Sequence, residues 1–164
     1  MKFHLVDKIE SIEPGKRIVT TKALSLAEEY LADHFPAFPV LPGVMMLEAL
    51  TQSAAWLTRV RQDFSRSMVV LQAARNVRYA SFVAPGNILR CEVEAMTLDD
   101  ETAKFKAAGF VGDTQTVSAR LELRSFNLAD GKRSLAATDA AVLEQVRRVF
   151  RLIHGPEALE AART

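Results

Sequence analysis

The sequence predicts an α+β fold in which an antiparallel sheet encloses one long apolar helix. Three observations carry this expectation. An apolar run from Val44 to Val60 follows a Pro42-Gly43 helix entry, apolar and polar residues alternate from Met68 onward, and helical spacing takes over from Thr138. With 164 residues, 49% hydrophobic and 25% charged, the chain is long enough for one domain with its own core, and no linker-like stretch or repeat divides it. Residues 1–137 are expected to form that domain and 138–164 a C-terminal amphipathic helical extension of it.

Residues 2 to 13 and 16 to 23 read as two strands joined around Pro14-Gly15, a dipeptide that pre-sets turn geometry. From Ala23 to Asp33 the pattern fits a helical turn or a loop. Pro36, Pro39 and Pro42 then keep the chain extended, because proline has no amide to give to a helix or a ladder. In a helix's first turn proline loses nothing, since amides there have no internal acceptor. The helix from about Val44 to Val60 is apolar nearly all round, and such a helix is wrapped by other elements rather than laid on a surface.

Strands supply the wrapping. Val117, Ala119, Leu121 and Leu123 alternate with Ser118, Arg120, Glu122 and Arg124, the pattern of a half-buried antiparallel strand. Leu89 to Ala95 alternates likewise, and Phe105 and Ala107 mark another strand, with turns at Asp99-Asp100 and Gly112-Asp113. The expected order is strand, strand, helix, then four strands. Val142, Val146, Val149, Phe150 and Ile153 then recur at helical spacing among Arg147, Arg148 and Arg151, a stripe suited to core or subunit packing rather than to a membrane surface.

Composition narrows the function classes. Charges scattered through MKFHLVDKIE leave no secretory apolar segment, and the run from Val44 to Leu57, interrupted by Glu48, Gln52 and Ser53, falls short of the roughly 20 residues of a membrane span. A cytoplasmic protein is expected. The lone Cys91, in the apolar set of an alternating strand, reads as a small core residue in a reducing interior and a poor nucleophile. The net charge of +1 argues for neither nucleic acid nor a membrane surface. Its distribution is uneven: between Ala49 and Cys91 stand six arginines (Arg59, Arg61, Arg66, Arg75, Arg78, Arg90) and one acid, Asp63. A solvated face and a docking surface for an acidic partner both fit that cluster. No glycine-rich phosphate loop, serine elbow or cysteine pair is present, and His4, His34 and His154 form no pair at metal-ligand spacing, so no metal site is expected.

The chemistry-bearing stretch is HFPAFPVLPGVMMLEALTQ, His34 to Gln52, in which a single carboxylate, Glu48, interrupts the apolar helix. Val44, Met45, Met46 and Leu47 make at least part of its surroundings apolar, and a poorly solvated carboxyl stays protonated, the state a general acid needs. An edge carboxylate paired with an arginine is the equal alternative. His34 lies in a proline-stiffened stretch and carries the side chain suited to taking up a proton near neutrality, although a lone histidine also reads as structural. Free amides near Gly43 and Val44 add a positive pole and hydrogen-bond donors. Base, acid and oxyanion donors could then converge on one carbonyl substrate.

This segment resembles the active-site segment of FabZ-type 3-hydroxyacyl-[acyl-carrier-protein] dehydratases. The resemblance rests on His34-Phe35-Pro36, the Pro42-Gly43 entry, and Glu48-Ala49 through Gln52. NVRYASFVAPGN is similar to the family's later strand and Pro-Gly turn, and FHLVDKIESIEPGK to its opening strand, so the likeness spans most of residues 3 to 125. It implies a hotdog fold, dimers with the active site at their interface, the histidine from one subunit and the glutamate from the other, and often a trimer of dimers. It also implies an acyl tunnel along the helix, an acyl carrier protein bearing a phosphopantetheine-linked chain as partner, and no metal or redox cofactor.

Carried over by that resemblance, His34 removes the proton beside the thioester carbonyl and Glu48 protonates the departing 3-hydroxyl. The Val40 carbonyl orients the imidazole, the Gly43 amide holds the thioester oxygen, and Val44, Gln52, Trp56, Tyr79 and Phe82 contact the substrate. Arg75 and Arg78 are the carrier-docking candidates, and glutamate at position 48 favours the dehydratase-only branch over the dehydratase/isomerase branch. There are departures: Ala37 stands where glycine is usual, Asn87 replaces an aspartate after Pro85-Gly86, Tyr79 replaces phenylalanine, and Trp56 is bulky. A thioesterase on the same fold and a catalytically silent acyl- or carrier-binding partner subunit are the competing readings.

Overall fold

The computed structural model describes residues 3–162. A hairpin of β1 (Lys8–Glu13) and β2 (Arg17–Ala23) is followed by the long helix α1 (Gly43–Arg61) and then by β3 (Met68–Tyr79), β4 (Ile88–Leu98), β5 (Thr102–Val111) and β6 (Thr114–Phe126). The C-terminal part is helical, with a single turn α2 (Leu128–Gly131), then α3 (Ala136–Leu152) and α4 (Gly155–Ala161). The six strands form one antiparallel sheet in the order β1-β2-β4-β5-β6-β3. Strand, strand, helix, four strands is thus the observed order, and α1 matches its expected span to within a residue at each end.

Register puts the apolar positions on one face. Ile18 faces Val93, Val93 faces Ala107, Phe105 faces Leu121, and Ala107 faces Ala119 across successive strands. α1 buries Ala49, Leu50, Ala54 and Leu57 against that face, at the i, i+3, i+4 spacing that makes one side of a helix. Small residues in the sheet let the helix lie close. Gly109 of β5 leaves room for the side chains of its neighbouring strands, since a Cβ there would stand 2.7 Å from Val117 Cγ1 and 2.9 Å from Leu89 Cδ1. The hydroxyls of Thr20 and Ser53 pair at 2.6 Å inside this core, so the polar interruption in α1 is satisfied.

The structure departs from expectation at both ends. β1 begins at Lys8, not near residue 2; Lys2 lies outside the described residues. Phe3 and Leu5 are instead tied to α1: Gln52 Nε2 donates to the Phe3 carbonyl at 3.0 Å, and the Leu5 amide donates to Gln52 Oε1 at 2.9 Å. The single C-terminal helix is broken in two, because His154 takes a left-handed conformation (φ 62°) and Pro156 starts a new first turn.

The extension is anchored in the core. Phe150 stacks between Trp56 and Phe64 at centroid distances of 5.7 and 5.1 Å, and the Ile9 amide donates to the Ile153 carbonyl at 2.8 Å. Asp139 holds the other end: its buried carboxylate accepts from the Ser67 hydroxyl and from the Leu128 and Ala129 amides, both at 2.9 Å. The Ser67 hydroxyl, helped by those two amides, holds this carboxyl below the usual aspartate range, against the opposing pull of burial.

Candidate active site

His34 sits, half-buried, in the loop that leads into α1. The loop turns sharply at Phe35, which takes φ 50° and whose carbonyl accepts from the Phe38 amide at 2.7 Å. The left-handed residue is therefore Phe35 and not Ala37, so the alanine in the place of a glycine sits without backbone strain. Leu41 then donates its amide to the Val83 carbonyl at 2.9 Å, which pins the loop beside the turn before β4. That turn is held by Asn87, whose amide group donates to the Ala84 carbonyl at 3.0 Å, a bond an aspartate could not make when ionised.

At the start of α1 the Pro42 carbonyl accepts from Met45 and Met46 at 2.9 and 3.1 Å, while the Gly43 and Val44 amides have no acceptor among the described residues. These free N–H groups stand at the positive end of a 19-residue helix. The Tyr79 ring, at the end of β3, covers Gly43 so closely that a Cβ there would lie 3.1 Å from Cε1. His34, Val40, Gly43, Met46, Tyr79 and Phe82 line one cavity of about 290 Å³. Leu41, Ala80 and Ser81 also line it; these and Met46 were not singled out in the sequence, and Met46 had a signal, its place three residues after Gly43, one turn up the same helix face.

The rim of this cavity is apolar and open. Phe82 is 64% exposed and meets Phe38 edge-on at 5.7 Å, and Val44, at 70% exposure, is not among the residues lining the cavity. Phe35 and Ile88 are likewise exposed.

Glu48 corrects an expectation. Ala49 and Leu50 take the buried side of α1, so Glu48 turns outward, exposed, and accepts from Gln52 Nε2 at 2.9 Å. Among the described residues neither apolar enclosure nor an arginine surrounds it, and it is not among the residues lining the His34 cavity. Gln52 and Trp56 lie further along the same helix face, in a second cavity of about 430 Å³ that also touches Val69, Val146 and Val149.

The six arginines of the 49–91 segment do not form one face. Arg59 donates to the carbonyls of Arg66 and Ser67, Arg66 approaches Asp130 at 3.4 Å, and Arg90 pairs with Glu92 and lies over the Phe110 ring. Arg75 and Arg78 are exposed on β3, and Arg75 stands directly opposite Arg120. Like charges facing each other across strands disfavour the pairing, so some other gain maintains them.

An antiparallel sheet packed on one central helix, with a histidine loop at the helix's positive end, defines a hotdog-fold protein. The model of the FabA-like domain matches residues 1–120, and the chain belongs to that family. It is 37% identical over 121 residues to the 3-hydroxyacyl-[acyl-carrier-protein] dehydratase FabZ of Pelotomaculum thermopropionicum, covering 74% of this chain and 85% of the relative. The FabZ of Caulobacter vibrioides is 33% identical over 134 residues, covering 80% of this chain and 83% of that one. Among solved structures, the dehydratase heterocomplex ApeI:P from Xenorhabdus doucetiae superposes with a TM-score of 0.66 over 81% of this chain and 90% of that chain, at 17% identity. A thioesterase from Haemophilus influenzae superposes at 0.56 over 72% and 77%, at 15% identity, so these likenesses show the fold and leave the choice of chemistry to the site.

Proposed function

We propose that this protein dehydrates (3R)-3-hydroxyacyl-[acyl-carrier-protein] to the trans-2-enoyl thioester, in fatty acid or related acyl-chain biosynthesis. The observation that carries the reading is the cavity shared by His34 and Gly43, whose helix-start amide has no acceptor among the described residues, in a chain 37% identical to the FabZ dehydratase of Pelotomaculum thermopropionicum. His34 takes a proton from C2 of the substrate. The Gly43 amide holds the thioester oxygen as charge gathers on it, and Val40 positions the imidazole. Glu48 of the partner subunit gives its proton to the 3-hydroxyl as the C3–O bond breaks, and water and the enoyl thioester leave. Passing the proton from the imidazolium back to the carboxylate resets the site.

Two features support a dimer in which the halves of the site come from different chains. Glu48 is outside the His34 cavity of its own chain, that cavity is open with Phe35 and Phe82 exposed in its lining, and the outer edge of β3, which brings Tyr79 to the same cavity, pairs with no other strand among the described residues. Further assembly into a trimer of dimers belongs to the same reading. Residues 1–137 are read as the hotdog domain and 138–164 as its helical extension. Arg75 and Arg78 form the docking site for the acidic carrier protein, with Tyr79, Phe82, Val44, Gln52 and Trp56 contacting the substrate. Among the described residues no helix is long and apolar enough to cross a membrane, and we place the enzyme in the cytoplasm.

The test follows enoyl-thioester absorbance with wild type, His34→Ala and Glu48→Gln. Each variant alone should be folded and lose activity by roughly two to four orders of magnitude. Mixed after unfolding and refolding together, the two should regain about a quarter of wild-type activity, because half the dimers are mixed and each holds one intact site. No recovery would refute the shared site, and thiol release without enoyl turnover would assign a thioesterase.

A further inference from the structure

Gln52, Trp56 and Arg59 share one face of α1, at the i, i+4, i+7 spacing of neighbours on a helix surface, and all three line the cavity of about 430 Å³. Val69 of β3 and Val146 and Val149 of α3 give that cavity apolar walls beside the Trp56 ring, and its size falls within the range of small-molecule sites. α3 lies wholly beyond residues 1–120, the part matched by the FabA-like domain, so this wall is a contribution of the extension. No residue lining the cavity is a carboxylate. Arg59 thus brings a permanent positive charge to a space with no negative one.

The Arg59 guanidinium is only half committed. Nη1 donates to the Arg66 and Ser67 carbonyls, both at 3.2 Å, and so ties the last turns of α1 to the residues before β3. Among the described residues Nε and Nη2 have no acceptor, and no carboxylate pairs with the group. Nor is that edge sealed in protein: the buried side-chain atoms without a partner are Arg17 Nε, Tyr30 Oη and Gln62 Oε1 among the described residues. The unbonded edge therefore reaches open space, and Arg59 lines this cavity. Burial lowers its pKa to about 10, so the group is charged at neutral pH yet poorly hydrated. A cation withdrawn from water is ordinarily paired. A neutral amide would make the two carbonyl bonds as well, so the clamp does not account for the charge.

We infer that the α1–α3 cavity binds an apolar molecule ending in a carboxylate, with the carboxylate on the free edge of Arg59 and the apolar body against Trp56, Val146 and Val149. The planar fork of a guanidinium matches the two oxygens of a carboxylate, and such charge-assisted pairs are about twice as strong as neutral ones. A hydrocarbon terminus is the poorer occupant, because it would strip the remaining water from the guanidinium and return no hydrogen bond. Two sources present the required chemistry: a free carboxylic acid, and an acyl thioester whose far end is a second carboxylate. Binding at this site goes beyond the dehydratase reading and needs no turnover.

Trp56 is the single tryptophan of the chain, so its emission reports occupancy. The full-length protein is titrated with octanoate and with octanol, which share a chain and differ in the head group. Octanoate should shift the emission and bind about tenfold or more tighter than octanol. A purely apolar cavity ranks them the other way, because octanol leaves water more readily. Arg59→Gln, whose amide can still donate to the carbonyls, should bring octanoate down to the level of octanol. Equal or weaker binding of octanoate by the wild type, or an undiminished preference in folded Arg59→Gln, overturns the inference. If circular dichroism shows that Arg59→Gln does not fold, Val149→Phe decides: it narrows the cavity, leaves the carbonyl clamp intact and should weaken octanoate about tenfold or more, and unchanged affinity overturns the inference. Given the octanoate preference, the half-thioester of suberic acid with pantetheine is then compared with octanoyl-pantetheine. Tighter binding of the half-thioester, lost in Arg59→Gln, assigns a carrier-borne chain with a terminal carboxylate; equal binding assigns a free acid. Turnover of enoyl thioesters by a protein that prefers octanol removes this site and leaves the dehydratase reading, and an octanoate preference with enoyl thioesters unaltered does the reverse.

Discussion

Replacing Phe150 by alanine tests whether the C-terminal extension is part of the core. The ring is 5% exposed, wedged between Trp56 at 5.7 Å and Phe64 at 5.1 Å. Gly155 closes on it so tightly that a Cβ there would collide with the ring. Alanine would leave a void walled by two aromatic rings and the start of α4, which cannot all collapse inward at once. Phe-to-Ala losses at such sites are about 3–5 kcal/mol, against a typical total stability of roughly 5–15 kcal/mol. For a chain of this size the melting temperature should fall by roughly 6–20 °C. Urea denaturation followed by circular dichroism, at one fixed protein concentration so that subunit association does not shift the midpoint, measures it. A loss below about 1 kcal/mol with an unchanged slope would refute the reasoning, because it would mean that α3 rests on the domain without completing its core.

Gly43→Ala should lower kcat/KM by roughly ten- to a hundredfold by pushing the Tyr79 ring off the helix start, with thermal stability altered by no more than about 1 kcal/mol; wild-type kinetics would contradict the packing. Asp139 is held below the usual aspartate range by Ser67, so its contribution is complete above the unfolded value of 3.8 and is lost as pH falls through its lower folded value. Hydrogen exchange of α3 should accelerate in that acid window in the wild type and lose this pH dependence in Asp139→Asn. Burial pushes the Cys91 thiol up to about 12, so a thiol reagent near neutral pH should modify only unfolded chains. Prompt stoichiometric labelling of the native protein would contradict that burial.

Periodicity made the sheet and α1 legible because both bury one face completely. Ala119, Leu121 and Leu123 could point only one way once their polar neighbours were counted. The start of β1 was not legible: Phe3 and Leu5 alternate like strand residues, but their backbone groups are taken by the Gln52 side chain, a tertiary contact with no local signal. The break at His154 did have one, since Gly155-Pro156 follows it directly and proline favours a new first turn. At the site, His34, Gly43 and Tyr79 were readable from motif and resemblance. The outward turn of Glu48 was not, because a helix that is apolar nearly all round hides which face its one carboxylate occupies. Charge density also misled: Arg59 and Arg90 lie in the same sequence window as Arg75 but engage backbone carbonyls and Glu92.

The position of β3 in the sheet has a kinetic consequence. It is the third strand made, yet its ladder partner is the last, with Leu71 opposite Leu123 and Met68 opposite Phe126. During synthesis β3 therefore emerges without a strand to pair with, and β4 and β5 must be completed before the long loop between β3 and β6 can close. Such distant pairing slows folding, so a nascent chain that ends before β6 should stay open to proteases and dependent on chaperones. The edge on which a second chain would attach is then formed only in the last act of folding, which delays assembly until each subunit has finished its own sheet.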